Sequence, residues 1–347
     1  MSAAPAIGGF FGLHGPTGGV APDRSLLAAW TAGGAGWVGF HNARSALGWL
    51  VRSLRPPVVW LPRYLCRDMR EAAGNSVRLY DVDAGLRLAD RALAADLAAG
   101  DLVVTVAYFG APVCDDLRQL AARRADAVWV EDRAQALLVD AADAVPGAWH
   151  LYSPRKLLGV ADGGILVGSG LNRLPPPELA APPPGHAEAA ELRVRAADRA
   201  ELAAAYRRYL EIERGQGVAD LALSEASAAT LARVDPEPLA ARRRANLAVV
   251  DAALGDLAAP FAERLRRSAA PFGYPVCVPA GRDALVGRLA EAGVFCAVHW
   301  RALVEDAPPA WSVAGRLSAG MLTLPIDHRY GEHEMARLVD VVRRCLA

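Results

Sequence analysis

DLVVTVAYFGAPVCDDLRQLAARRADAVWVEDRAQAL, residues 101–137, holds the reading that decides the fold. Its first ten residues are a β-branched, apolar run that ends on glycine. Residues 115–124 then carry leucine and alanine at helical spacing, and DAVWVED (126–132) is a second apolar run. A strand, a helix and a strand in so short a span predict a crossover between parallel strands. The same alternation extends outward. VVWLP (58–62), VRLYDVD (77–83), WHLYS (149–153) and GGILVG (163–168) read as further strands, and residues 86–98 as a helix. The expected fold class is α/β, with a large, mostly parallel sheet covered on both faces. Ligands of such sheets lie at the carboxyl ends of the strands. Asp132 and Tyr108 fall near such ends, which marks residues 105–168 as the floor of a site.

Helices are expected over 22–30 and 42–54 before this region, and over 186–216, 224–235 and 238–254 after it. LPPPELAAPPPG (174–185) cannot be an ordinary helix or central strand, because proline removes a donor and clashes with the preceding turn. It reads as a linker or surface excursion. A smaller C-terminal α/β domain follows, with strands at 273–279 and 294–300 and helices at 281–292 and 332–346. The expected division is 1–235 for the large domain and 236–347 for the small one.

Lys and Arg together number 38, as do Asp and Glu, so the formal net charge is zero and nothing points to nucleic acid. No run is apolar for long enough to span a bilayer, and the N-terminus lacks the pattern of a signal peptide. The five cysteines are scattered, which fits a reducing cytoplasm better than a disulfide framework. Neither CxxC nor HExxH occurs and the histidines are dispersed, so no metal is expected. No phosphate-binding GxxxxGK[ST] is present, and GSGLNR (168–173) lacks the third glycine of a dinucleotide fingerprint.

One residue stands apart. Lys156 is the only lysine in the chain. An arginine-rich composition has a bland cause, but this position has escaped it. Arginine holds its proton too tightly to form an imine with an aldehyde, whereas lysine can act as the nucleophile. Asp132, ending an apolar strand, needs a partner to offset the cost of burying its charge. A protonated pyridine nitrogen would serve, and so would an arginine. Gln135, three residues on, is placed to help hold a ring or its substituent.

EDRAQA (131–136) and HLYSPRKLLGVADGG (150–164) together resemble two motifs of the DegT/DnrJ/EryC1/StrS family. Its members are sugar-aminotransferase-like, pyridoxal-phosphate-dependent enzymes with the type I, aspartate-aminotransferase fold. NARSAL (42–47), RLYDVD (78–83), VAYFGAP (106–112), GVFCAVHW (293–300) and LTLPIDHRYGEHEM (322–335) extend the likeness. It implies that pyridoxal 5'-phosphate is held as a Schiff base on Lys156, with Asp132 on its ring nitrogen and Gln135 on the ring-hydroxyl side. The Ala43 and Arg44 N–H groups, at a helix start, would face the phosphate. The family's phosphate serine falls on Leu151, with Ser153 as a displaced substitute. Its phosphate threonine falls on Arg44, whose guanidinium could pair with phosphate instead. The aromatic over the ring falls near Cys66, with Tyr64 the nearest aromatic. A partner-reaching G-x-N-x-R-M segment has no clear counterpart near 217–227. His299 and Trp300 lie where substrate-facing residues are expected. The implied function is amino transfer from an amino acid donor to a keto or aldehyde acceptor, such as a nucleotide sugar or natural-product intermediate, by a homodimer. Elimination or dehydration on the same scaffold, or a non-catalytic regulatory relative, are the alternatives.

Overall fold

The computed structural model describes residues 5–13, 19–31, 36–89, 91–278, 280–305 and 308–346. Its strands are β1 (Ile7–Gly8), β2 (Gly36–Phe40), β3 (Val59–Pro62), β4 (Val77–Tyr80), β5 (Leu102–Val106), β6 (Val128–Asp132), β7 (Trp149–Tyr152), β8 (Gly164–Gly168), β9 (Tyr274–Cys277), β10 (Val294–Phe295) and β11 (Met321–Leu324). Seven of them form one sheet in the order β2-β8-β7-β6-β5-β3-β4. Strands β4, β3, β5, β6 and β7 run parallel. Strand β8 is antiparallel to both its neighbours, so it alone runs against the other six. The expected α/β class with a large, mostly parallel sheet is what the chain adopts.

Strands β3 and β5 are buried along their whole length, and β6 from Trp129 onward. Leu102, Val103, Val104 and Val130 have no exposed surface. That explains why β5 reads as a continuous apolar run rather than an alternating one. Proline 57 precedes β3, and the helix Asp115–Arg123 returns the chain from β5 to β6. That helix turns Leu117, Leu120 and Ala121 inward and keeps its charges outside. Burying each such leucine is worth about 2 kcal/mol.

Several sequence expectations are corrected. Residues 86–98 are helical only over Arg91–Asp96. The Asp83 carbonyl accepts from Leu86 N–H and its carboxylate from Arg87 N–H, so the chain turns back there instead of starting a helix. The expected helix at 186–216 is two, Glu188–Arg195 and Arg199–Gly215, and Asp198 caps the second by accepting from Glu201 N–H. The strand expected at 294–300 stops at Phe295, because its partner β1 is only two residues long. Strand β2, GWVGF, was not anticipated. The proline stretch carries neither helix nor strand, apart from a single bridge between Ala180 and Leu221.

What positions the site is the rim where β2, β3, β5, β6 and β7 end and β8 begins. Phe40 at the end of β2 lies opposite Gly164 at the start of β8. The helix Ala43–Leu54 starts at that junction. Asn42, in extended conformation, accepts from Ser45 N–H at 2.8 Å and so caps the helix. A Cβ on Gly164 would overlap the Asn42 carbonyl and the Ala43 nitrogen. Gly164→Ala is therefore expected to cost about 2 kcal/mol by overpacking. Gly287, inside the exposed-faced helix Arg282–Glu291, has open space where its Cβ would be. Gly287→Ala should gain about 0.5–1 kcal/mol. Urea midpoints of the two variants, moving in opposite directions from the parent, check both.

Candidate active site

Asp132 is the last residue of β6 and is 6% exposed. Its Oδ1 accepts the Ala134 N–H at 2.9 Å, a local turn that aims the carboxylate over the rim. Burial pushes its pKa up. The Lys156 ammonium and the Ala134 N–H pull part of that back, and Glu131 adds to the rise. The carboxylate thus lies buried without a full counter-charge, in the field of the only lysine. Glu131 itself points to the other face of the sheet, where its Oε2 accepts from Arg133 Nη2 at 2.8 Å and from Val145 N–H at 3.1 Å. Alternation along the strand separates the two acids.

Lys156 closes the short 3-10 turn Pro154–Lys156, which follows β7. Its N–H donates to the Ser153 carbonyl at 3.1 Å. The turn is gripped on both sides. Arg155 makes a two-pronged pair with Glu213. Beyond the lysine, the Leu157 carbonyl accepts from Nη2 of Arg243 at 3.0 Å. Arg243 has no exposed surface and also donates to the Pro271 and Phe272 carbonyls, so it ties this turn to the C-terminal part of the chain. Its burial lowers its own pKa to about 10.

Gln135 sits beneath the same rim. Its Oε1 accepts the Phe109 N–H at 2.8 Å, while its buried Nε2 has no partner among the described residues. An orphaned buried donor is rare and costly. Phe109 is in the left-handed region, at φ 56°, so β5 gives way to a tight turn that presents this N–H.

His299 is brought to Lys156 from the far end of the sequence. The ammonium and, more strongly, burial hold its imidazole down at about 3. Its Nδ1 lies 2.9 Å from Thr323 Oγ1, and its ring meets Phe109 and Phe272 edge-on at 5.5 and 5.6 Å. Trp300 packs beside Tyr64 at 5.3 Å. The Tyr64 hydroxyl donates to the His299 carbonyl, and Tyr108 donates to the Tyr64 carbonyl at 2.6 Å. Tyr64 is therefore a fully buried strut of the wall. Cys66, half-buried and bridged to Leu303, feels both Lys156 and Asp132, and burial raises its thiol to about 11.

On the opposite side of the rim stands the start of the helix Ala43–Leu54. Only Ser45 N–H is taken by the Asn42 cap, and the preceding N–H groups of Ala43 and Arg44 lie outside the helix ladder. The Arg44 guanidinium turns aside. It donates to the Gln216 carbonyl at 2.9 Å and pairs with Asp68 at 3.2 Å. Strand β7 ends at Tyr152, so buried Ser153 does not continue its face. Asp162, in the quoted HLYSPRKLLGVADGG stretch, accepts from Ser224 N–H and Oγ at 3.0 and 2.8 Å and so anchors the segment 217–227. The structure thus brings Lys156, Asp132, Cys66 and His299 into one electrostatic neighbourhood, with Gln135 beneath the same rim. The run Arg242-Arg243-Arg244 reads from sequence as the wet face of a helix, but Arg243 is fully buried and spends its donors on backbone carbonyls. Arg155 and Glu213 carry no local signal of their pairing.

Two half-buried histidines give a pH signature. His150 is lowered to about 4 by burial and by Arg133, and His299 to about 3. Between the ordinary histidine range and these values, the unfolded chain binds protons that the folded chain does not. Their contribution is complete above about pH 6.5 and is lost as pH falls below it. Both imidazoles should remain neutral at pH 5 by nitrogen-15 NMR, and His150→Gln should lose less stability than the parent between pH 6.5 and 5.

Compared by sequence, the chain matches no protein-family model and no curated protein. Compared by structure, it resembles 3-amino-5-hydroxybenzoic acid synthase with a TM-score of 0.66 at 18% identity, covering 99% of each chain. It resembles the aminotransferase TlmJ of Streptoalloteichus hindustanus with a TM-score of 0.61 at 20% identity, over 97% of this chain and 92% of that one. A DegT DnrJ EryC1 StrS aminotransferase of Brucella abortus gives 0.61 at 16% identity, over 94% and 91%. The likeness spans nearly the whole of each molecule, and at these identities it is a likeness of architecture: the chain has the fold of the DegT/DnrJ/EryC1/StrS-type aminotransferases.

Proposed function

We propose that the protein is a pyridoxal-phosphate-dependent aminotransferase that takes an amino group from an amino acid and gives it to a keto or aldehyde acceptor. The observation that carries this reading is the single lysine acting on a buried, undercompensated carboxylate at the carboxyl rim of a parallel sheet. The residues fit the cofactor. A cationic ring nitrogen would supply the counter-charge that Asp132 lacks. A ring hydroxyl would accept from the orphaned Gln135 Nε2. A phosphate would accept from the first-turn N–H groups of Ala43 and Arg44, favoured by the helix dipole. Arg44, in the first turn of that helix, and Ser153, just before the turn that carries Lys156, are the further side chains assigned to the phosphate. Arg44 reaches that end only by leaving Gln216 or Asp68.

When bound, the cofactor supplies an electron sink for the carbon that loses and gains the amino group. The protein supplies placement and protons. Asp132 keeps a proton at the ring nitrogen. Lys156 Nζ, once free, removes a proton from the amino-bearing carbon of the donor and returns one to the acceptor. Neutral His299, fixed by Thr323, and Trp300 form the wall facing the reacting carbon and exclude water from it. Tyr64 supports that wall rather than facing solvent. The ring-walled side favours a cyclic acceptor, of which a nucleotide sugar is one class and an aromatic precursor another. The expected homodimer would cover the exposed Leu192, Val194 and Tyr206. Among the described residues no helix is long and apolar enough to cross a membrane, and a cytoplasmic location accords with the free cysteines.

The purified protein with added pyridoxal phosphate should show a visible absorption band. Borohydride should abolish it and fix the label on Lys156, and Lys156→Ala should show neither. Asp132→Asn should retain the fold but lose roughly 100-fold or more in amino transfer, as expected when a placed charge is removed. A parent protein with no band, or with the label at the amino terminus alone, would remove the basis of the assignment.

A further inference from the structure

Two arginines meet on one carboxylate between the two elements assigned above to the ends of the cofactor. Arg155, the residue before Lys156, gives Nη1 to Glu213 Oε1 and Nη2 to Glu213 Oε2, the latter at 3.0 Å. Arg44, in the first turn of the helix Ala43–Leu54, lies with Nη2 3.9 Å from the same Oε2. The side chains of Arg155, Arg44 and Glu213 are 11%, 12% and 22% exposed. Among the described residues, the one other acid paired with Arg44 is Asp68, which is 55% exposed, so its charge is largely screened. Burial alone would lower Arg155, but Glu213 together with Tyr209 reverses this, and the net shift is upward. The buried Nε of Arg155 has no partner among the described residues. Its direction is therefore set by Glu213 and Tyr209, both on the helix Arg199–Gly215.

The geometry of the turn passes this constraint to the lysine. Successive side chains of a 3-10 turn project about 120° apart. Pinning Arg155 toward Glu213 fixes which way Lys156 leaves the turn. The grip of Arg243 on the Leu157 carbonyl holds the next residue but leaves that rotation open.

We propose that Glu213 is a positioning residue for Lys156, acting through Arg155 to direct the amine toward Asp132. This rests on the reading of Lys156 as the working amine. Loss of the carboxylate charge would also leave two mostly buried guanidiniums facing each other, and the short turn is the part free to move.

Because Lys156 is the only lysine, reductive methylation with carbon-13 formaldehyde labels its Nζ and the amino terminus and nothing else. In the cofactor-free protein, Glu213→Gln should displace and broaden the Lys156 methyl signal while the amino-terminal signal stays put. Glu213→Asp should restore most of it. Arg155→Gln should give the same displacement, and the double variant no more. In unlabelled protein with cofactor, Glu213→Gln should lower kcat roughly 10- to 100-fold, with KM for the amino donor within about twofold. A Glu213→Gln signal superimposed on the parent's overturns the proposal. If that variant does not fold, Arg155→Gln with Glu213→Gln removes both charges and carries the same test, with superposition again overturning it. A displaced signal in a protein that gives no absorption band would leave the positioning role standing and sink the cofactor assignment. A parent band with no displacement in the variant would do the reverse.

Discussion

A carboxylate buried at the end of a strand must find a cation or give up its charge, and the site is organised around that requirement. Asp132 has one backbone N–H and the field of one ammonium, which leaves its charge only partly offset. An apolar residue there would make a more stable rim. The fold instead keeps an acid that a cationic ring could complete. The neighbouring acid, Glu131, shows the other solution to the same problem. It is wholly buried and is held by Arg133 and the Val145 amide on the far face of the sheet.

The lysine depends on a second layer of charges. Arg155 and Arg243 hold the residues on either side of it, one through a carboxylate and one through a backbone carbonyl. They draw on different parts of the chain, the helix Arg199–Gly215 and the long helix Pro236–Leu254. Arginine suits both tasks because its fork fixes direction as well as charge. An arginine-rich composition, bland as a statistic, is here put to use in buried joints.

The central sheet and the Lys156–Asp132 pair were legible because each rests on local chemistry. Continuous apolar runs mark doubly covered strands, and a lone amine or a strand-ending acid needs a reason to be there. What was not legible depends on distant partners. GWVGF has two glycines and no alternation, and it becomes a strand only because β8 offers an edge. The direction of β8 cannot be read from its composition. The expected strand at 294–300 lost its end because β1 pairs with only two of its residues, and the remainder bends to bring His299 in. The ring-covering position falls near Cys66, with Tyr64 the nearest aromatic but out of register, and the Tyr64 hydroxyl is committed to the His299 carbonyl while Cys66 lies in the field of the amine. Glu213 and Arg155 lie 58 residues apart, and no pattern in either segment announces the other.

The reversed course of β8 bears on how well the amine can be aimed. Since β7 arrives at the rim and β8 departs from it, the excursion between Tyr152 and Gly164 begins and ends on adjacent, hydrogen-bonded strands. Lys156 is therefore carried on a loop tethered at both feet, unlike a residue on a crossover that must travel across a sheet face. A short span with fixed feet has few shapes available, so little entropy remains to be surrendered when the amine is called into line.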